Sequence, residues 1–219
     1  MVKDKLESLE LQQKYSALED KLKTEFGKTF EPIPHADDLP DDVYCHIKLK
    51  DATRTISKRT YGCPCKYHEA WKTLIDMHVD SRKVRLLNSA FASPLFIIPK
   101  TDPMALPCWV NDYRELNSNV VIDSHPLPRV DDILTDCAKG KIWATIDMTD
   151  YFFQMRVHPD DIHLTAVTTL FGLYEWTIMP MGYRNAPLIH QCRVTAALRK
   201  YLGKFCHIYR HLVSGHSRT

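Results

Sequence analysis

Two short apolar runs in mid-chain limit the fold more than any other feature. "SPLFIIPK" (Ser93 to Lys100) is fenced by prolines and reads as a strand. "CWVNDYRELN" follows it after "TDPMALP", a spacer long enough to turn back, so the two runs are expected to pair as an antiparallel hairpin. "LTAVTTLFGLYEWTIMPM" has the same hairpin character, with Gly172 supplying the bend. Strands and helices are interspersed without regular βαβ units, which places the chain in the α+β class.

The remaining segments fit around these hairpins. Leu11, Tyr15, Leu18, Leu22 and Phe26 recur at steps of three and four, the stripe of an amphipathic helix that Gly27 would end. Such a helix would dock on a partner or cover a surface, and it has too few heptads for a coiled coil. Glu31 to Asp42, with three prolines and five acids, reads as an extended connection. "VYCHIKL" (Val43 to Leu49) alternates like a strand, and a helix is expected over His68 to Asp80 with Trp71, Leu74, Ile75 and His78 on one face. "IDSHPLPRVDDILTDCA" passes from a proline-stiffened extension into a helix whose first turn carries Asp131 and Asp132. "KIWATIDMTDYFFQMRV" is a strand that breaks at an acid, and "APLIHQCRVTAALRKYL" is a helix with Pro187 in its first turn. "KFCHIY" is the last strand.

Composition excludes several classes. A chain of 219 residues with 44% hydrophobic and 26% charged residues and only 7 glycines is globular, neither fibrous nor disordered. "MVKDKLESLELQQ" is no signal peptide, and no run approaches the roughly 18 apolar residues of a membrane helix. Seven scattered cysteines argue against a disulfide framework and for a reducing compartment, cytosol or nucleus. Cys63, Cys65 and His68 are close together, but a closed zinc site needs four ligands at a wider spacing, so they read as an irregular segment around Pro64. Net charge is +2, yet Arg193 to Thr219 holds six Lys/Arg and no acid. That tail suits a phosphate backbone or simple solvation equally well.

Asp147 closes "WATID", an otherwise apolar run. A carboxylate there needs a partner or a cation. It reads either as the cap of the turn "DMTD" or as a functional acid.

The order of motifs decides between them. "SPLFIIPK", "WVNDYRELN", "PLPRVDDIL", "IDMTDYFFQMRVHPDD", "TAVTTLFGLYEWTIMPMGYRNAP" and "RKYLGKFCHIY" resemble, in order and spacing, the reverse transcriptase of gypsy-type LTR retrotransposons, particularly the fungal branch. The resemblance runs from about Phe30 to Tyr209. It implies the fingers and a partial palm of a right-hand polymerase, an antiparallel sheet with helices packed on it. Thumb, connection and RNase H regions lie outside the match. Residues 1–30 would be the amphipathic helix, 31–84 an extended connection and helix, and 85–219 the fingers with incomplete palm. Fingers would span Arg85 to Val121 and Met155 to Arg184; palm would span Ile122 to Gln154 and Asn185 onward.

The implied reaction is RNA- or DNA-templated DNA synthesis from dNTPs on a primer–template duplex, run by two divalent ions about 3.5–4 Å apart. Hard Mg²⁺ would take carboxylate oxygen from Asp147, helped by the Met148 carbonyl. By the resemblance, Lys100 would meet the triphosphate, Asp150 and Tyr151 would line the nucleotide pocket, and Phe152 would be the gate against ribonucleotides. Arg114 would hold template, and Met181 and Gly182 would lie under the incoming base pair. Lys100 also reads as a solvated turn lysine, and Phe152 as plain core. No membrane partner is expected.

The sequence departs from the family where the chemistry is concentrated. The family's other two metal ligands belong to a Tyr-x-Asp-Asp motif after the last strand; here Tyr209 is followed by Arg210, His211 and Leu212. A cationic side chain there repels the ion that two acids would neutralise. Relatives carry Arg at the position of Cys108, where a thiol cannot replace a charge-assisted fork, and a small residue at that of Tyr151. Catalytic incompetence is therefore expected, leaving a binding remnant or an inert product. A frameshift after Tyr209 would account for Arg and His in place of Leu-Asp-Asp-Ile codons. Unless Leu212 to His216 supplies a partner, the last strand lacks its hairpin mate, and an exposed edge of that kind would make the chain poorly soluble.

Overall fold

The computed structural model describes residues 2–31, 35–41, 43–87, 89–102, 105–124, 128–139, 144–146, 148, 150–209 and 211–214. The chain divides into two compact units, 1–33 and 34–219.

The first unit is the helix α1 (Val2–Glu25), followed by a 3-10 turn at Gly27–Phe30. Leu11, Leu18, Leu22 and Phe26 are all exposed, and over its whole length the helix hardly gathers its apolar residues on one face, so it is less amphipathic than expected. No helix among the described residues is long and apolar enough to cross a membrane.

In the second unit the connection after residue 34 is less extended than expected. Ala36–Asp38 forms a 3-10 turn, and Ala36 and Leu39 are buried. The expected strand over Val43 to Leu49 contracts to β1 (Tyr44–Cys45). Beyond it the chain turns to the segment at 119–120: Leu49 bridges Val120, and Lys50 N–H donates to the Asn119 carbonyl at 2.7 Å. Helix α2 (His68–Asp80) forms over the expected residues and buries Trp71, Leu74 and Ile75.

A five-stranded sheet carries most of the core. Strands β2 (Val84–Leu86), β3 (Ser93–Ile98) and β4 (Cys108–Asn111) precede helices α3 (Arg114–Asn119) and α4 (Val130–Cys137). Strands β5 (Ala144–Ile146), β6 (Arg156–Val157), β7 (Val167–Thr169) and β8 (Gly172–Trp176) come next. The order in the large sheet is β2-β8-β7-β3-β4. Both expected hairpins form: Ile98 faces Cys108, and Thr169 faces Gly172. The large sheet is nevertheless mixed rather than antiparallel throughout, because β3 and β7 run parallel; β1 and β6 also pair parallel, in a separate two-stranded sheet. Long connections through α3, α4 and β5 give the chain room to return in the same direction. The motif "DYRELN" is helical from Arg114, not a continuation of β4.

Helix α5 (Ala186–Ala197) carries Pro187 in its first turn as expected, and β9 (Cys206–Tyr209) follows. The last strand does not lack a partner. Strand β10 (His211–Ser214) pairs antiparallel with β9 on one side and with β5 on the other. The sheet order is β5-β10-β9, so the edge expected to be open is covered and that reason for poor solubility falls away.

Beneath the large sheet, His78 of α2 makes edge contacts with Trp109 and Trp176 at 5.4 and 5.2 Å and with Phe153 at 6.0 Å. Burial, with Lys83 nearby, lowers the His78 pKa to about 4. The fold thus prefers the neutral ring. Its stabilising preference is complete above the unfolded value of about 6.5 and is lost as pH falls toward 4. The unfolding free energy from urea denaturation is expected to drop between pH 7 and pH 5, by at most about 1.4 kcal/mol per pH unit per histidine. Substituting His78→Phe should flatten that slope; an unchanged slope would show that His78 titrates freely.

Candidate active site

Asp147 lies outside the described residues, as does Arg210. The backbone on both sides can be followed. Strand β5 ends at Ile146, which pairs with Leu212 of β10, while His211 pairs with Tyr209 across the turn. The β9–β10 hairpin is therefore built beside the strand that leads to Asp147, with His211 and Leu212 where the family motif has its acids.

Met148 is half-buried. Asp150 adopts a left-handed backbone conformation, φ 53°, which Asp tolerates better than most residues. Its carboxylate meets Lys83 Nζ at 3.2 Å, and its carbonyl accepts from Phe153 N–H at 2.7 Å. Lys83 is mostly covered and also lies 5.4 Å from the Phe153 ring centroid. Asp150, expected to line a triphosphate pocket, is thus engaged with a lysine that sequence reading did not single out.

A 3-10 turn, Tyr151–Gln154, carries the next two candidates. The Tyr151 ring lies against His190 of α5 with centroids 3.6 Å apart, and it meets Phe152 edge-on at 5.0 Å. His190 is 4% exposed, and its Nδ1 is buried without a hydrogen-bond partner. Burial lowers its pKa to about 4, so the ring is neutral at pH 7. Phe152 is half-buried and packs against the main core. Sequence reading missed His190; its one signal was a place four residues after Ala186, which is also buried.

Lys100 and Cys108 sit at the free end of the β3–β4 hairpin. Both are exposed, and the Ile98–Cys108 pairing brings them to the same end. Arg114 is exposed but not loose. Its Nε and Nη2 fork onto Asp112 at 2.8 and 2.7 Å, and Nη2 reaches Tyr61 Oη at 3.1 Å. Tyr61 donates to the same carboxylate at 2.6 Å. The guanidinium holds the Asp112 carboxyl well below the usual carboxylate range, and Asp112 in turn raises Arg114. Cys63, Cys65 and His68 do not converge as a metal site: His68 Nε2 lies 3.1 Å from the Cys63 carbonyl.

Met181 and Gly182 form a tight turn fixed from below. Asn111 Nδ2 donates to the Met181 carbonyl and Asn117 Nδ2 to the Gly182 carbonyl, each at 2.9 Å. Gly182 has φ 92°, and a Cβ there would stand 2.9 Å from the Asn111 carbonyl oxygen. Gly182→Ala is expected to cost about 1–3 kcal/mol from strain alone, measurable by urea denaturation. Gly62→Ala, with nothing within 4 Å of the added carbon, serves as the control and should cost far less.

Comparison with known proteins places this geometry. Residues 98–212, more than half of the chain, match the family model described as reverse transcriptase (RNA-dependent DNA polymerase). The chain is 30% identical over 188 residues to the retrovirus-related Pol polyprotein of the Drosophila melanogaster transposon opus, covering 84% of this chain and 19% of that polyprotein. It is 36% identical over 129 residues to that of transposon 297, covering 58% and 12%, and 32% identical over 130 residues to that of transposon gypsy, covering 58% and 13%, both also from Drosophila melanogaster. The chain spans about a fifth or less of the length of these relatives. In fold it is similar to the prototype foamy virus protease–reverse transcriptase, with a TM-score of 0.79 at 19% identity over 94% of this chain and 27% of that one. The foamy viral enzyme in complex with an RNA/DNA hybrid gives 0.75 at 21% identity, over 91% and 26%. Reverse transcriptases are nucleotidyltransferases that generally use divalent metal. A hairpin beside the strand leading to Asp147, the β3–β4 hairpin and the Met181–Gly182 turn thus have a common explanation: the chain belongs to the reverse transcriptase family and is similar to a part of retrotransposon Pol polyproteins.

Proposed function

We propose that this chain binds primer–template duplex as the fingers and palm of a retrotransposon reverse transcriptase and does not by itself extend the primer. The fingers correspond to 85–121 and 155–184, and the palm to 122–154 and 185 onward. The observation that carries the proposal is the β9–β10 hairpin, paired to β5 through Leu212 and Ile146, whose residues after Tyr209 are Arg, His and Leu. The donor set does not fit two Mg²⁺ ions. Asp147 is one carboxylate, and an imidazole and a leucine at the two acid positions offer a hard cation no oxygen ligand. No step is therefore assigned to a metal in this chain.

Two further features weigh against dNTP turnover. Tyr151 and His190 pack ring on ring at the place where the family resemblance puts the sugar of the incoming nucleotide. Cys108, on the fingers hairpin with Lys100, supplies no charge for a triphosphate. Duplex binding needs neither metal nor nucleotide. Lys100 stands exposed on its hairpin, and Arg114 is held in a fixed orientation by Asp112 and Tyr61. The foamy viral enzyme of similar fold is known in complex with an RNA/DNA hybrid, which supports a nucleic-acid partner of this kind.

Fluorescence anisotropy with a labelled primer–template should show binding that weakens steeply as salt rises. Lys100→Ala and Arg114→Ala should each lower the slope of log affinity against log salt by about 1. Primer extension with Mg²⁺ and dNTPs should be absent. Extension abolished by Asp147→Asn would overturn the claim of incompetence, and absence of binding at low salt would overturn the binding claim.

A further inference from the structure

The parallel pairing of β1 with β6 has a chemical consequence away from the residues named so far. The register sets Tyr44 beside Arg156 and Cys45 beside Val157, and His158 N–H donates to the Cys45 carbonyl at 2.9 Å. The next residues along both strands are His46 and His158, and their rings stack with centroids 4.4 Å apart and an interplanar angle of 30°. The chain then turns through a 3-10 helix, Pro159–Thr165, which brings Asp161 back to the pair. His46 Nδ1 lies 3.2 Å from Asp161 Oδ2.

We propose that His46, His158 and Asp161 bind one borderline divalent cation of the zinc class. One ligand atom from each residue lies within 4.8 Å of the other two. Metal–ligand bonds of about 2.0–2.1 Å in a tetrahedron set its ligands about 3.3 Å apart. The His46–Asp161 separation of 3.2 Å already matches that edge, and the His158 ligand atom lies within 4.8 Å of both. Two imidazoles and one carboxylate suit Zn²⁺ and its neighbours, not all-oxygen Mg²⁺. Three protein ligands leave the fourth position to water.

Support around the ligands is present. Ile47 N–H donates to Asp161 Oδ2 at 3.1 Å, so a mostly covered carboxylate is oriented by backbone. The Tyr44 ring meets His158 edge-on at 5.4 Å and limits its swing. Asp160 Oδ2 stands 3.6 Å from His158 Nδ1 and adds a second negative charge at the rim. His46, more than half exposed, leaves the site open for a cation to enter. A metal here would clip the segment after β1 to the segment after β6, which in sequence are more than a hundred residues apart.

The test is Co²⁺ titration of the whole chain under a phosphine reductant, followed by visible absorption, with Zn²⁺ affinity from chelator competition. The expected result is a tetrahedral Co²⁺ d–d spectrum that Zn²⁺ displaces. His158→Ala should abolish it. The milder His46→Asn, at an exposed position, should weaken Zn²⁺ by more than the roughly 10–100-fold that changes beyond the ligand shell cost. Circular dichroism confirms that each variant is folded, and His46→Asn decides the matter if His158→Ala is not. No spectrum from the wild-type chain would overturn the proposal. So would a spectrum unchanged in His46→Asn, or thiolate-to-cobalt charge-transfer bands placing the ion on cysteines.

Discussion

One buried amide organises the second unit. The Asn111 Oδ1 accepts from the Trp109 indole at 2.6 Å and from the Trp176 indole at 3.3 Å, while its Nδ2 donates to the Met181 carbonyl. Four segments meet there: β4 from two of these residues, β8 from Trp176, the aromatic cluster around His78, and the turn that begins "MGYRNAP". Each indole N–H would otherwise be buried without an acceptor, at a cost of about 1–3 kcal/mol each. Thr165 acts similarly one layer away. Its hydroxyl accepts from Trp176 N–H and donates to the Ile162 carbonyl, and its own carbonyl accepts from Tyr113. Strand β8 is further tied to β2 by Arg85, which sits opposite the fully buried Glu175 and pairs with it. The large sheet is thus held by a few hydrogen-bonded polar groups within an apolar core, with Glu175 Oε2 left buried without a hydrogen-bond partner.

Most of this was legible where local chemistry and tertiary context agree. Helix α2 falls on its expected residues because Trp71, Leu74 and Ile75 repeat at helical spacing and all find the core. The β3–β4 hairpin follows from two apolar runs and a spacer that turns. The reading failed where backbone partners come from far along the chain. Tyr44–Cys45 is a strand only because Arg156–Val157 lies beside it, and residues 46–49 leave the ladder for α3. Arg114 begins a helix because Asp112 and Tyr113 turn the chain, which the alternating "WVNDY" does not announce. No local pattern foretold the parallel β3–β7 pairing.

The site divides along the same line. Residue identities along "IDMTDYFF" and "MGYRNAP" pointed to one neighbourhood because motif order carries topology with it. What they could not give was occupancy of space. Tyr151 is an ordinary aromatic in the sequence, yet in the fold it finds His190, a histidine whose role only burial and a missing hydrogen bond expose. Arg114, expected from the resemblance to hold template, is in the fold half of a forked pair with Asp112.

Strand β10 sits between β5 and β9, in the middle of its sheet, although its sequence is foreign to the family motif. Its place is set by two neighbours with unpaired backbone groups, and N–H and C=O are the same whatever side chain follows. A strand in such a place can therefore change its side chains without losing its pairing. Architecture and side-chain chemistry are then free to change at different rates in such an element.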